Sequence, residues 1–327
     1  MDETKFYQYC LQGDVTSAYE YLCSLPNKNS KEKELESSYY QRFFHDKPKY
    51  PCKTDDPWIQ KVLLAYYQYF SAVLTRKSVD NAEKQLITSL RNMIPDNDTK
   101  MDLESLEEKL GNMFNEKGYH FLGGITPPFP GPYIWKNTEE RKFTVELPNL
   151  IQEVTVYFLS DFILQSWVHF ATFGEKFAAG WAKPDGLYYV ADRPEHKKVE
   201  LDSSKFQVSY LKHEAQHLND FLRFPNLRPR DLEYRAKLVE LIYEPNSYRL
   251  LKKFYCEQKD DPRHPHSYAS FTLMKRLTQM AFGKEERQGP EQWKLIDFHK
   301  ISEWSLALFN EHTEMLEAKG KETIGII

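Results

Sequence analysis

Cysteine is scarce in this chain, with four residues in 327: Cys10, Cys23, Cys52 and Cys256. They form no CxxC and no spacing that suits a metal, which argues against a disulfide-stapled scaffold or a thiolate zinc site. The opening residues, MDETKFYQYC, lack a basic segment followed by an apolar core, so no secretory leader is expected. With so few thiols, the expected setting is reducing and cytoplasmic. Long basic runs are missing too, and the net charge is −4. Neither nucleic acid nor a membrane surface is therefore an expected partner. The most apolar stretch, residues 155–173, is interrupted by Asp161, Gln165 and His169 and reads as buried core rather than a membrane span.

What remains has the profile of a globular protein, 41% apolar and 28% charged, with an aromatic share of 15% supplied mainly by tyrosine and phenylalanine. The length suits about two domains and a sizeable core without covalent staples.

Residues 1–118 read as a helical N-terminal lobe. ETKFYQYCLQ and the segment after Gly13-Asp14 form a helical pair closed by Pro26, followed by KELESSYYQRFF. In DPWIQKVLLAYYQYFSAVLTRK, the residues Ile59, Val62, Leu63, Tyr66 and Tyr67 recur at helical spacing behind a cap at Asp55 or Asp56. Two more amphipathic stretches, residues 79–94 and 101–118, complete the lobe, without a fixed repeat period. This lobe is also the candidate surface for a protein partner. Residues 119–140 read as a Pro/Gly-rich loop or linker, because GGITPPFPGPYIW excludes both a helix and a central strand.

Residues 141–327 begin with short extended runs, RKFTVELP, QEVTVYFL, GEKFAAGWA and GLYYVAD. The last two flank a Lys-Pro-Asp-Gly turn, and a helix is expected across 160–172. Helices follow. One runs from a Ser203 or Ser204 cap to just before Pro225, and one starts near Pro229 and stops at Pro245. Two long ones cover SYASFTLMKRLTQMAF and EQWKLIDFHKISEWSLALFNEHTEMLEAKG. The fold class is α+β, mainly α.

Chemistry concentrates in HEAQHLNDF, residues 213–221. Residues four apart on a helix share a face, roughly 6 Å apart between Cβ atoms. His213 and His217 can thus converge on one metal ion, and Zn2+ is the expected one. Glu214 lies about 100° further round, placed to act as general base on water that the metal has made more acidic. The bland reading is a surface helix that happens to spell this pattern. Against it, Ala215, Gln216 and Leu218 are uncharged, so the face can be buried. A third ligand is needed. Fifteen residues separate His217 from Glu233, which borders the apolar stripe of Leu232, Ala236 and Val239 on the next helix, as does Glu240. Glu233 is the candidate ligand, with Asp220, Glu240 and Glu244 as the other carboxylates within reach.

HEAQH followed by a helix bearing Glu233 resembles the zincin metallopeptidases, specifically the gluzincin group that includes thermolysin. The resemblance covers about residues 140–245. It departs in a short spacer before Glu233 and in a polar Asn219 on the HExxH helix. It implies a small twisted sheet packed on the HExxH helix and a Glu-bearing helix within a zincin-like lobe. It also implies zinc held by His213, His217 and Glu233, with Glu214 as base in hydrolysis of a peptide or protein substrate. Two further features fit it. FAAGWA (177–182) is a candidate edge strand for substrate, its small residues serving either that approach or close packing. His264, His266 and Tyr268 begin a later helix, and His266 and Tyr268 are the candidate donors to the oxyanion. The competing expectations are an inactive zinc-binding interaction module, a metallohydrolase of a non-peptide bond, and a helical protein in which HEAQH is coincidence.

Overall fold

Asp, Asn and Ser side chains start the helices at the N-terminal end of the chain. The computed structural model describes residues 1–95, 101–192, 200–283 and 289–327. Asp2, Asp14, Asn29, Asp56, Ser78 and Asp102 each accept a first-turn amide at the head of α1 (Glu3–Leu11), α2 (Val15–Cys23), α3 (Ser30–Tyr39), α4 (Pro57–Leu74), α5 (Val79–Arg91) and α6 (Leu103–Glu116). Each such bond satisfies an amide that the helix itself leaves unpaired. A π-helical turn, Tyr40–Phe44, extends α3. All five periodic residues of α4 are buried, and so are Ala65, Tyr69, Phe70, Val73 and Leu74. With apolar residues on most of its faces, α4 is the central helix of its unit.

The Pro/Gly-rich segment is more ordered than its composition implies. It carries β1 (His120–Leu122), β2 (Ile125–Thr126), β3 (Phe129–Pro130) and β4 (Tyr133–Trp135). The expectation that no central strand forms here is wrong. The prolines all lie at or before position 132, so the three residues of β4 keep their amides. They pair with β1 on one side and with β7 (Leu164–Gln165) on the other. Between β4 and β7 the chain makes a long hairpin, β5 (Asn137–Leu147) and β6 (Leu150–Ser160). The helix expected over 160–172 is the shorter α7 (Ser166–Ala171).

Among the described residues the chain folds as two compact units. One comprises Met1–Thr138 and Leu159–Ala178, the other Glu139–Phe158 and the described chain from Ala179 to Ile327.

The second unit is built on a four-stranded sheet in the order β5-β6-β9-β8, with β8 (Gly180–Lys183) at its edge beside β9 (Gly186–Val190). Trp181 sits opposite Tyr188 in the antiparallel register, and their rings stack. A side chain at Gly180 would collide with the Tyr188 carbonyl oxygen and the Tyr210 ring, so close packing accounts for that glycine. Ser203 caps a helical segment that runs from α8 (Ser204–Phe206) through a π-helical turn (Gln207–Lys212) into α9 (His213–Arg223). Next comes α10 (Pro229–Tyr243), bounded by prolines as expected. It is followed by α11 (Ser247–Glu257), unanticipated from sequence, and α12 (Pro265–Phe282). The last expected helix is two: a 3-10 segment (Pro290–Leu295) and α13 (Phe298–Lys319). They are separated where Asp297 accepts from the His299 amide and restarts the helix. No helix among the described residues is long and apolar enough to cross a membrane.

Candidate metal centre

The face of α9 carries both imidazoles. Their Nε2 atoms lie 3.1 Å apart, with the ring planes nearly perpendicular. Glu233, on α10, brings Oε1 to 3.4 Å from His217 Nε2 and Oε2 to 3.7 Å from His213 Nε2. Ligands bound at 2.0–2.1 Å in tetrahedral geometry are about 3.3 Å apart. The three separations lie near that value, the two from Glu233 through different carboxylate oxygens, so the three groups are close enough to share one ion. The cluster is close enough to bind a metal.

The surroundings fit a metal as well. His213 Nδ1 is 2.8 Å from Glu240 Oε1, and Glu240 is buried. A proton held on Nδ1 by this contact leaves Nε2 as a bare lone pair turned toward the cluster. Glu240→Gln, which weakens the grip on Nδ1, is expected to lower metal affinity about 10–100-fold with little change in fold. Competition against a metallochromic chelator measures this.

Burial of α10 is more complete than an apolar stripe implies: every residue from Asp231 to Leu241 is buried, five of them charged. An unpaired charge there costs on the order of several kcal/mol, and each of the five has a partner. Asp231 accepts from the Ile326 and Ile327 amides and contacts His312. Glu233 and Glu240 face the histidines. Arg235 Nε lies 3.0 and 2.9 Å from the two carboxylate oxygens of Asp220, and its Nη1 reaches Thr313. Lys237 Nζ pairs with Glu257 at 2.5 Å, and Ser270 also donates to that carboxylate.

These contacts choose among the third-ligand candidates. Asp220 is committed to Arg235, Glu240 to His213, and Glu244 to Arg249, Ser204 and the Asn246 amide. Only Glu233 joins the cluster. Glu214 is half-buried one residue from His213 and makes no hydrogen bond or ion pair among the described residues. His266 Nδ1 lies 2.8 Å from Glu233 Oε2, in ion-pair contact, with its side chain 72% exposed. His264 instead contacts Asp261, and the Tyr268 ring packs against the Arg230 guanidinium.

No protein-family model, curated protein or solved structure matches this chain. The likeness to gluzincins rests on these residues alone.

Sequence reasoning placed Glu240 beside Glu233 as an alternative third ligand and did not anticipate its contact with His213 Nδ1. The seven-residue separation, two helical turns, was the available signal, because it sets both carboxylates on one side of α10. Lys237 and the Asp220–Arg235 pair left no such signal.

Without metal, the cluster stores a proton. Burial disfavours the His217 imidazolium, but the Glu233 carboxylate outweighs it and lifts the pKa to about 9. Burial likewise raises Glu233, yet its interactions with His266 and His217 and the nearby His213 hold it well below its ordinary 4.5. The folded chain therefore keeps a proton on His217 that the unfolded chain releases near pH 6.5. That stabilisation is complete below pH 6.5 and lost as pH rises through about 9. The melting temperature of metal-free protein is expected to fall between pH 7 and 9. That of metal-loaded protein is expected not to, since the metal takes the proton's place. Differential scanning fluorimetry of both forms checks this.

Proposed function

We propose that this chain is a zinc-dependent, metallopeptidase-like hydrolase with Glu214 as general base. The observation that carries this reading is a half-buried carboxylate with no hydrogen bond or ion pair among the described residues, next in sequence to His213 in a trio close enough to bind one ion. His213, His217 and Glu233 would hold it, and two imidazoles with one carboxylate are a donor set that suits zinc. Bound there, zinc supplies Lewis acidity, polarising a carbonyl and lowering the pKa of water.

The remaining steps belong to the chain. Glu214 takes a proton from the attacking water and passes it to the leaving amine. Glu240 holds the His213 ring in one orientation throughout. His266, largely exposed, would leave its contact with Glu233 and donate to the carbonyl oxygen as negative charge builds there. Tyr268, held against Arg230, is assigned no role. A peptide is the favoured substrate because β8 ends its sheet and packs against α9, so an extended chain added to that edge would run beside the histidines.

The test is incubation of zinc-loaded protein with a complex peptide pool, reading new termini by mass spectrometry. Cleavage that a chelator abolishes and added zinc restores is the expected result. No cleavage by protein shown to hold zinc would contradict the peptidase reading.

A further inference from the structure

The segment after α13 folds back onto the corner between the two ligand-bearing helices, residues 224–228. The Arg228 amide donates to the Ile324 carbonyl at 3.0 Å, and the Asn226 carboxamide donates to Glu322 at 2.7 Å. Two successive amides, of Ile326 and Ile327, then reach one oxygen of Asp231, at 2.6 and 3.1 Å. A Cβ at Gly325 would stand 2.7 Å from the other oxygen of that carboxylate, so glycine is what lets the backbone come so close. All of these residues belong to the second unit.

Asp231 lies two residues before Glu233 in the first turn of α10, fully buried. Its other contacts are His312 at 3.2 Å and Arg230 at 3.8 Å, the latter too long for a hydrogen bond. Without the two amides this buried carboxylate would be left short of partners, and hydrating it requires the head of α10 to move. Glu233 would move with it. The Ile326 side chain adds an apolar hold. It packs against a small cluster of Phe224, Leu227, Leu232 and Leu316, which joins the corner, α10 and α13. Phe221 of α9 packs on the same cluster, and its ring stacks on the His217 imidazole with the centroids 6.3 Å apart. The segment therefore bears on the helix of His217 through this cluster and on the helix of Glu233 through Asp231.

We propose that residues 322–327 form a clasp, with Asp231 and Ile326 as positioning residues, and that the affinity of the metal centre depends on the clasp being closed. The inference rests on the metal centre of the proposed function and extends it, because occupancy of the centre is then set from outside its ligands. Coupling of this kind is reciprocal. A bound metal must tighten the clasp by the factor by which the clasp tightens the metal.

The test has two arms, both on the 327-residue chain. In the first, amide hydrogen exchange of wild type over residues 320–327 is followed by mass spectrometry with and without zinc. Zinc is expected to slow exchange at the Ile326 and Ile327 amides about tenfold. In the second, zinc affinity is measured by chelator competition on Gly325→Ala, Ile326→Ser, Ile326→Val and Ile324→Ser, each shown by circular dichroism to be folded. Gly325→Ala and Ile326→Ser are expected to bind zinc at least about tenfold more weakly. Ile326→Val, which keeps the apolar contact, and Ile324→Ser, which changes an exposed side chain, are expected to stay close to wild type. A merely structural role would lower the melting temperature and leave the zinc affinity of the folded molecule unchanged. Unchanged affinity in folded Gly325→Ala and Ile326→Ser, or exchange indifferent to zinc, overturns the clasp. The exchange arm decides alone if those variants do not fold. Wild type that takes up no zinc overturns the metal centre and the clasp with it, a result read before either arm begins.

Discussion

Replacing Glu214 by glutamine is expected to lower peptide turnover about 10²–10⁴-fold while leaving the metal in place. Glutamine keeps the shape of the side chain and a carbonyl oxygen, but it cannot take a proton from water at neutral pH. The glutamate makes no hydrogen bond or ion pair among the described residues, so the fold loses nothing that can be named. His213, His217 and Glu233 do not depend on it for their mutual spacing. The rate constant on a cleaved reporter peptide, measured beside metal content on the same samples, separates the two effects. A variant that keeps both metal and full activity would remove Glu214 from the chemistry.

Arg235→Met is expected to be the most destabilising single substitution near the centre, at about 3–5 kcal/mol. Arg235 and Asp220 are both fully buried and pair through both carboxylate oxygens. Methionine fills part of the arginine's volume and leaves Asp220 charged with no cation, three residues after His217 on the same helix. That cost is a large share of the 5–15 kcal/mol typical of a domain. Adding Asp220→Asn to Arg235→Met is expected to recover part of the loss, because the stranded charge is gone. Urea midpoints of wild type, single and double variants measure both quantities.

Much of this arrangement was legible wherever a local signal existed. Asp56 and Ser203 as caps, and Pro229 and Pro245 as bounds of α10, are features a few residues long, and the helices begin and end there. The HEAQH spacing and the second glutamate helix were enough to name His213, His217 and Glu233, and those three converge. What escaped depends on distant partners or on single-residue detail. Strand β4 forms inside a proline-rich segment because β1 and β7 pair with it. Two π-helical turns, at Tyr40–Phe44 and Gln207–Lys212, shift the register of helices whose apolar pattern looks continuous. Glu233, Glu240 and Asp220 are alike as sequence, and only their partners divide them among ligand, orienting group and structural pair.

The centre itself is tested most directly by its metal. Elemental mass spectrometry on protein purified without chelators or a metal-binding tag, wild type beside His217→Ala, counts the ion per chain. About one zinc per chain in wild type, and a small fraction of that in the variant, is the expected result. Wild-type protein that holds no metal and takes up none from supplied zinc would contradict the centre, and the hydrolase reading with it.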